Sequence, residues 1–171
     1  GGTVTEGRPG FIQQWLLLGP YTPYLSGGAV TGDNPGVDNM RLDYLSDGDL
    51  ITEAEVMPKA GDTVDTLLDA AGPSVALAVG DPTNPGGVPT WNAWDDADDT
   101  INFDEYYGGN VDTIMMYAVC YVKFAAATPN LFMGVGSDDG IQVLFDADEV
   151  WVNSIPRGWG NAQQIQDVFP L

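Results

Sequence analysis

Two sets of side chains interleave along Thr113 to Phe124, with the two-residue period of a β-strand rather than the period of a helix. Ile114, Met116, Ala118, Cys120, Val122 and Phe124 fall on one face. Thr113, Met115, Tyr117, Val119, Tyr121 and Lys123 fall on the other. The first set reads as core-facing, with Cys120 packed between Met116 or Ala118 and Phe124. The second is partly polar. Because both faces carry large apolar groups, the pattern predicts a central strand. Leu131 to Val135, Ile141 to Phe145 and Glu149 to Val152 read as three further strands. Ser137 to Gly140 (SDDG) and Asp146-Ala147-Asp148 turn the chain between them. The second half therefore predicts a meander of antiparallel hairpins.

The first half is less regular. Phe11 to Leu18 (FIQQWLLL) predicts a strand closed by Gly19-Pro20, with Tyr21 to Gly36 a Gly/Pro-rich loop. Arg41 to Leu45, Ile51 to Val56 and Val75 to Val79 are short strand-like runs, and Asp65 to Ala71 suits one or two helical turns. Gly80 to Thr90 reads as an irregular loop, followed by Trp91, Trp94 and the acidic run Asp95 to Asp99. With 22 Gly and 12 Pro, turn punctuation recurs throughout and helical periodicity is almost absent. The expectation is an all-β, antiparallel, jelly-roll-like β-sandwich occupying residues 1–171 as one module.

Composition narrows what such a module does. The chain carries 25 acidic residues against five basic ones, for a formal charge of −20. That field repels nucleic acid, whose phosphates need clustered Lys and Arg. The longest apolar stretch, Thr113 to Ala127, is too short to span a bilayer and is broken by Lys123, so no membrane insertion is expected. Gly1-Gly2 reads as the start of a processed chain. There is no histidine, which removes every Ser-His and Cys-His catalytic pair and the commonest zinc ligand. Cys120 is the only cysteine, so no internal disulfide forms, and its expected role is that of a small buried hydrophobe.

Asp138 and Asp139 place two adjacent carboxylates in one tight turn. Two readings stand side by side: a calcium site, which relieves their mutual repulsion, or a solvated hairpin turn with Gly140 supplying positive φ. Asp95, Asp96, Asp98, Asp99, Asn102, Asp104 and Glu105 offer many oxygens, but neither this run nor Asp43 to Glu53 fits the EF-hand template. Gly134-x-Gly136 is followed by a strand, not a helix, and is no phosphate loop. Paired carboxylates for glycoside hydrolysis can be drawn from so many acids that the match carries no weight, and no catalysis is expected. Among the five tryptophans, Trp15 and Trp151 lie in strand-like runs and read as core. Trp91, Trp94 and Trp159 lie in loops and are the candidates for aromatic platforms under a sugar ring. Arg157 either orients a ligand hydroxyl or pairs with a nearby Asp.

From Ala118 through Asp167 the chain resembles the protective-antigen-like β-sandwich domain, a relative of the yeast flocculin and GLEYA lectins found in large secreted bacterial proteins. The residues that carry the likeness are Gly136-Ser137-Asp138-Asp139-Gly140, Ile141 to Phe145, Asp146-Ala147-Asp148, Val150 to Asn153, Arg157 and Asp167, with Trp15 to Pro20 as an opening strand. The chain departs from that pattern at Asp146-Ala147-Asp148, where relatives carry Asn-Gly, and at its last residues. The resemblance implies a secreted or cell-surface, lectin-like module in which Asp138 and Asp139, with Asn153, hold Ca²⁺ against sugar hydroxyls. Trp94, Trp159 and Arg157 are the further ligand-binding candidates, and the expected partner is a glycan. The rival expectation is a structural subunit or spacer of an extracellular fibre or surface layer, contacting a neighbouring protein subunit. A closing strand is expected to be supplied by chain beyond Leu171 or by such a neighbour.

Overall fold

The computed structural model describes residues 12–21, 45, 56–63, 90–95, 101–109, 114–154, 157–158 and 165–171. Within them the chain is all-β and antiparallel, with one short helix. The elements are β1 (Gln14–Tyr21), β2 (Asn92–Asp95), α1 (Phe103–Tyr107), β3 (Met115–Val119), β4 (Phe132–Val135), β5 (Ile141–Phe145), β6 (Asp148–Asn153) and β7 (Asp167–Pro170). They form three ladders, ordered β2-β1-β3, β4-β7 and β5-β6, and every pairing is antiparallel. No helix among the described residues is long and apolar enough to cross a membrane. The runs expected at Asp65 to Ala71 and Val75 to Val79 lie outside the described residues, as do residues 41–44 of the Arg41 to Leu45 run and residues 51–55 of the Ile51 to Val56 run.

Strand β1 is the centre of the first sheet, with Trp15 opposite Trp94 on one side and Leu18 opposite Tyr117 on the other. That position explains its unbroken Trp-Leu-Leu-Leu run, because a strand covered on both faces has no use for polar alternation. Leu17 and Leu18, which point to opposite faces, are both buried. The strand does not stop at Gly19-Pro20, as the sequence suggested, but runs through that cis peptide to Tyr21. The register slips by one residue between Leu18 and Tyr21, a β-bulge. Gly19 is required there. Its φ is 131°, and a Cβ would lie 2.7 Å from Met116 Sδ and 3.1 Å from the Met115 carbonyl. The bulge delivers Tyr21 into the core instead of a loop. Leu18, Tyr21, Leu45 and Trp91 form the buried cluster, with Leu16, Val56, Met115, Tyr117 and Val119 packed around it.

The alternation along β3 is correct in period but inverted in phase. Met115, Tyr117 and Val119 face the core, where the Tyr117 ring meets Tyr21 edge-on at 6.1 Å and Trp91 at 6.4 Å. Ala118, Val122 and Phe124, expected inside, are exposed, and Cys120 is half-buried on that same outer face. Both sets are apolar, so hydropathy could not choose between them. The volume of Tyr117 between two other aromatic rings decides. Nor is β3 central. It pairs with β1 alone among the described strands, and its ladder ends at Val119. Tyr121 instead donates its hydroxyl to the Pro58 carbonyl at 2.7 Å.

The expected meander holds only for the β5–β6 hairpin. Strand β4 pairs with the last residues of the chain, Phe132 opposite Pro170 and Val135 opposite Asp167. The end of the sequence, where a strand seemed to be lacking, is thus a strand itself. Trp151 of β6 stacks on Phe169 of β7, with centroids 5.6 Å apart and planes within 3°, which ties the two small ladders together. Helix α1 was not anticipated, yet its signals are local. The Asn102 side chain caps it by accepting from the Asp104 and Glu105 amides, and Gly108 ends it in the left-handed conformation.

Candidate functional site

The Ser137–Gly140 turn links β4 to β5 and is fixed by polar contacts from two distant segments. Gln166 accepts from the Ser137 amide at 2.9 Å through Oε1 and donates through Nε2 to the Gly158 carbonyl at 3.2 Å. Its own amide donates to the Val135 carbonyl. Arg157 donates through Nε and a terminal nitrogen to Ser137 Oγ, at 3.2 and 2.8 Å, and its other terminal nitrogen pairs with the Asp167 carboxylate. The Arg157 carbonyl in turn accepts from the Asp139 amide at 2.7 Å. A rigid guanidinium fork thus spans the hydroxyl of the turn and the carboxylate that opens β7.

Within this network Ser137 Oγ donates to the Asp139 carbonyl, and Asp139 takes φ 58°. The left-handed residue of the turn is therefore Asp139, not Gly140. Asp tolerates that conformation better than most residues. Neither the Asp138 nor the Asp139 carboxylate has a hydrogen-bond or ion-pair partner among the described residues. Asp138 is exposed and Asp139 half-buried. Asn153 sits at the same end of the adjoining ladder, opposite Ile141, and is half-buried with contacts of its own. Two open carboxylates suit the first positions of a calcium shell, which needs six to eight oxygens. They are not a complete set, and no group of three or more acidic or cysteine side chains converges among the described residues.

The remaining candidates separate. Arg157 is committed to Ser137 and Asp167, the structural pairing rather than a hand held out to a ligand. Trp94 lies in β2, not in a loop, and its ring packs edge-on against Tyr106 of α1 at 5.1 Å. Trp91, only 1% exposed, is a core residue and no platform. Trp159, Asp96, Asp98 and Asp99 lie outside the described residues. Asn102 spends its side chain on the helix cap, and Asp104 and Glu105 occupy the first turn of α1, where acids favour the helix dipole. The sequence left these three between solvated loop acid and a calcium site outside the EF-hand pattern, although Asn102 followed at the third position by Glu105 is a helix-start signal. Gln166 went unnoticed and Ser137 was named only as part of the turn, because neither type announces a role without its partners. Burial pushes the Cys120 thiol above its ordinary value of 9.0, which leaves it protonated and a poor nucleophile at neutral pH.

Compared with known proteins, the chain matches no family model, no curated protein and no solved structure.

Proposed function

We propose that the chain is a secreted, non-catalytic β-sandwich module that binds carbohydrate, with Ca²⁺ held at the Asp138–Asp139 turn. One observation carries the reading. Ser137, Arg157, Gln166 and Asp167 hold the turn in one geometry, and the Asp138 and Asp139 carboxylates that it presents have no partner among the described residues. Such a turn is preorganised, so a cation bound there does not also have to order the loop. In this reading Asp138 and Asp139 supply carboxylate oxygens. Backbone carbonyls, water and two sugar hydroxyls complete the shell, and Asn153 contributes from the adjoining strand end. Trp159 follows Gly158, whose carbonyl is already tied to Gln166, and is the platform candidate for the sugar face.

A second reading, a structural subunit or spacer of an extracellular assembly, draws support from the β4-β7 ladder. Phe132 and Val168 are each 65% exposed there, more than an isolated module gains from leaving in water. Calcium titration of the wild type against Asp138→Ala/Asp139→Ala, read by thermal shift and by glycan-array binding with and without chelator, separates the two. The carbohydrate reading expects calcium to raise the melting temperature and to support glycan binding in the wild type alone. Equal behaviour of both proteins leaves the turn as a hairpin and favours the structural subunit.

A further inference from the structure

Helix α1 is too short to persist by itself. Isolated helices below about 12–15 residues are marginal in water. This one has five residues, none of them buried. It is seated on the outer face of the β2-β1-β3 sheet. The Tyr106 ring meets Trp94 of β2 edge-on, and the Tyr107 hydroxyl donates to Met116 Sδ of β3 at 3.3 Å. Met116 is half-buried there. Gly19 of the β1 bulge packs against the same sulfur, so closely that a Cβ would lie 2.7 Å from it.

We propose that Met116 is a redox-sensitive latch, whose oxidation to the sulfoxide by a peroxide releases α1 from the sheet and whose reduction seats it again. In that step a sulfur lone pair takes an oxygen atom from hydrogen peroxide. The O–O bond breaks, the thioether is oxidised to the sulfoxide, and the peroxide is reduced to water. Oxygen added toward Tyr107 drives the hydroxyl back, and oxygen added toward Gly19 meets packed backbone. Whichever lone pair is taken, the sulfur becomes the positive end of an S–O dipole and no longer accepts at its present distance. Tyr107 does not move alone, because its ring lies 4.7 Å from that of Tyr106, which in turn rests on Trp94. A helix this short does not outlast the loss of its seat. Met57, 75% exposed, is oxidised without any such consequence, and Met115 is turned to the core. The latch uses none of the residues at the Asp138–Asp139 turn.

The test is a hydrogen peroxide titration of the whole chain, followed by peptide mass spectrometry and by amide NMR. In the wild type, sulfoxide at Met116 is expected to move the amide signals of Phe103 to Gly108 to random-coil positions, while those of the β5–β6 hairpin keep their places. Methionine sulfoxide reductase is expected to return them. Met116→Leu carries an apolar side chain that peroxide does not attack, and its α1 signals are expected to stay put while Met57 is oxidised. Should leucine itself displace the helix, the reduction step decides on the wild type alone. Sulfoxide at Met116 with the helical signals intact overturns the inference, as does a Met116 thioether that survives full oxidation of Met57. Loss of α1 in Met116→Leu only after peroxide treatment traces the effect to another residue and overturns it as well.

Discussion

The sheet around β1 and the ladders around the Ser137–Gly140 turn are held by different forces. In the first, Leu17, Leu18, Tyr21 and Trp91 are almost fully removed from water, and the polar contacts serve mainly to seat the aromatic residues. The Trp91 amide donates to the Asp62 carbonyl and its carbonyl accepts from Gly61. In the second, only Val135 and Phe169 are buried among the described residues, and position is set by Arg157, Gln166 and Asp167. Apolar burial is non-directional and tolerates small shifts. A guanidinium held at a hydroxyl and a carboxylate is directional and fixes a turn in one geometry. A binding rim benefits from the second kind of order, and the first supplies the stability that it lacks.

The sharpest way to break this contrast is to truncate one residue in each region. Trp91→Ala empties the centre of the core and is expected to cost about 3–5 kcal/mol, the range for large aromatic truncations. Arg157→Ala is expected to cost about 2 kcal/mol, since it removes charged hydrogen bonds and leaves Asp167 half-buried without its partner. Denaturant unfolding of both measures the difference. An Arg157→Ala loss as large as that of Trp91→Ala would show that the network, and not the apolar cluster, carries the fold. Arg157→Lys sharpens the point. A single ammonium cannot span Ser137 and Asp167 as the fork does, so the variant should recover only part of the loss.

The same two regions differ in how much the sequence revealed, and in the opposite sense. Strands β5 and β6 lie within one or two residues of where the turn residues on either side put them. The Arg157–Asp167 pair was also legible as an option, from the scarcity of cations. Strand β1 is buried on both faces, so its run of leucines fixed its identity but not its end, and nothing local announced that the chain continues through Gly19-Pro20 to bury Tyr21. Strand β3 shows the limit most clearly. Its two faces are equally apolar, and the choice between them depends on Tyr21 and Trp91, residues distant in sequence. At the candidate site the Asp pair was legible from its own spacing. The Gln166 contact was not, since it joins residues 29 positions apart.

A smaller effect tests how the core sheet ends. Tyr121 donates to the Pro58 carbonyl, and its phenol is pushed above the ordinary value of 10.0 by burial and by the negative charge of Asp62. A raised folded-state value means that the neutral phenol favours the fold. The contribution is fully present below the unfolded value and is lost as pH rises through the folded one. Stability should therefore fall on the alkaline side in the wild type and fall less in Tyr121→Phe, which should lose about 0.5–1 kcal/mol at neutral pH. An unchanged alkaline limb in the variant would show that the phenol is not coupled to folding.

The smallest expected effect is a gain, at the hairpin of the other region. Strands β5 and β6 are joined by Asp146 and Ala147, with φ of 49° and 77°, between the paired residues Phe145 and Asp148. Two successive residues at positive φ are the signature of the two-residue turn whose twist matches that of the flanking strands. Asp accepts the left-handed region with little penalty. Ala does not, since its Cβ crowds the backbone there. Glycine at 147 relieves that strain but adds freedom to the unfolded chain, so the two terms oppose each other. The steric term is the larger, and Ala147→Gly is expected to raise stability by about 0.5–1 kcal/mol in denaturant unfolding, with an unchanged slope. Asp146→Asn/Ala147→Gly should gain slightly more. If the hairpin region is held in place by its polar contacts and not by this turn, neither variant should alter the calcium binding proposed for the Asp138–Asp139 turn, and the gain should appear in stability alone.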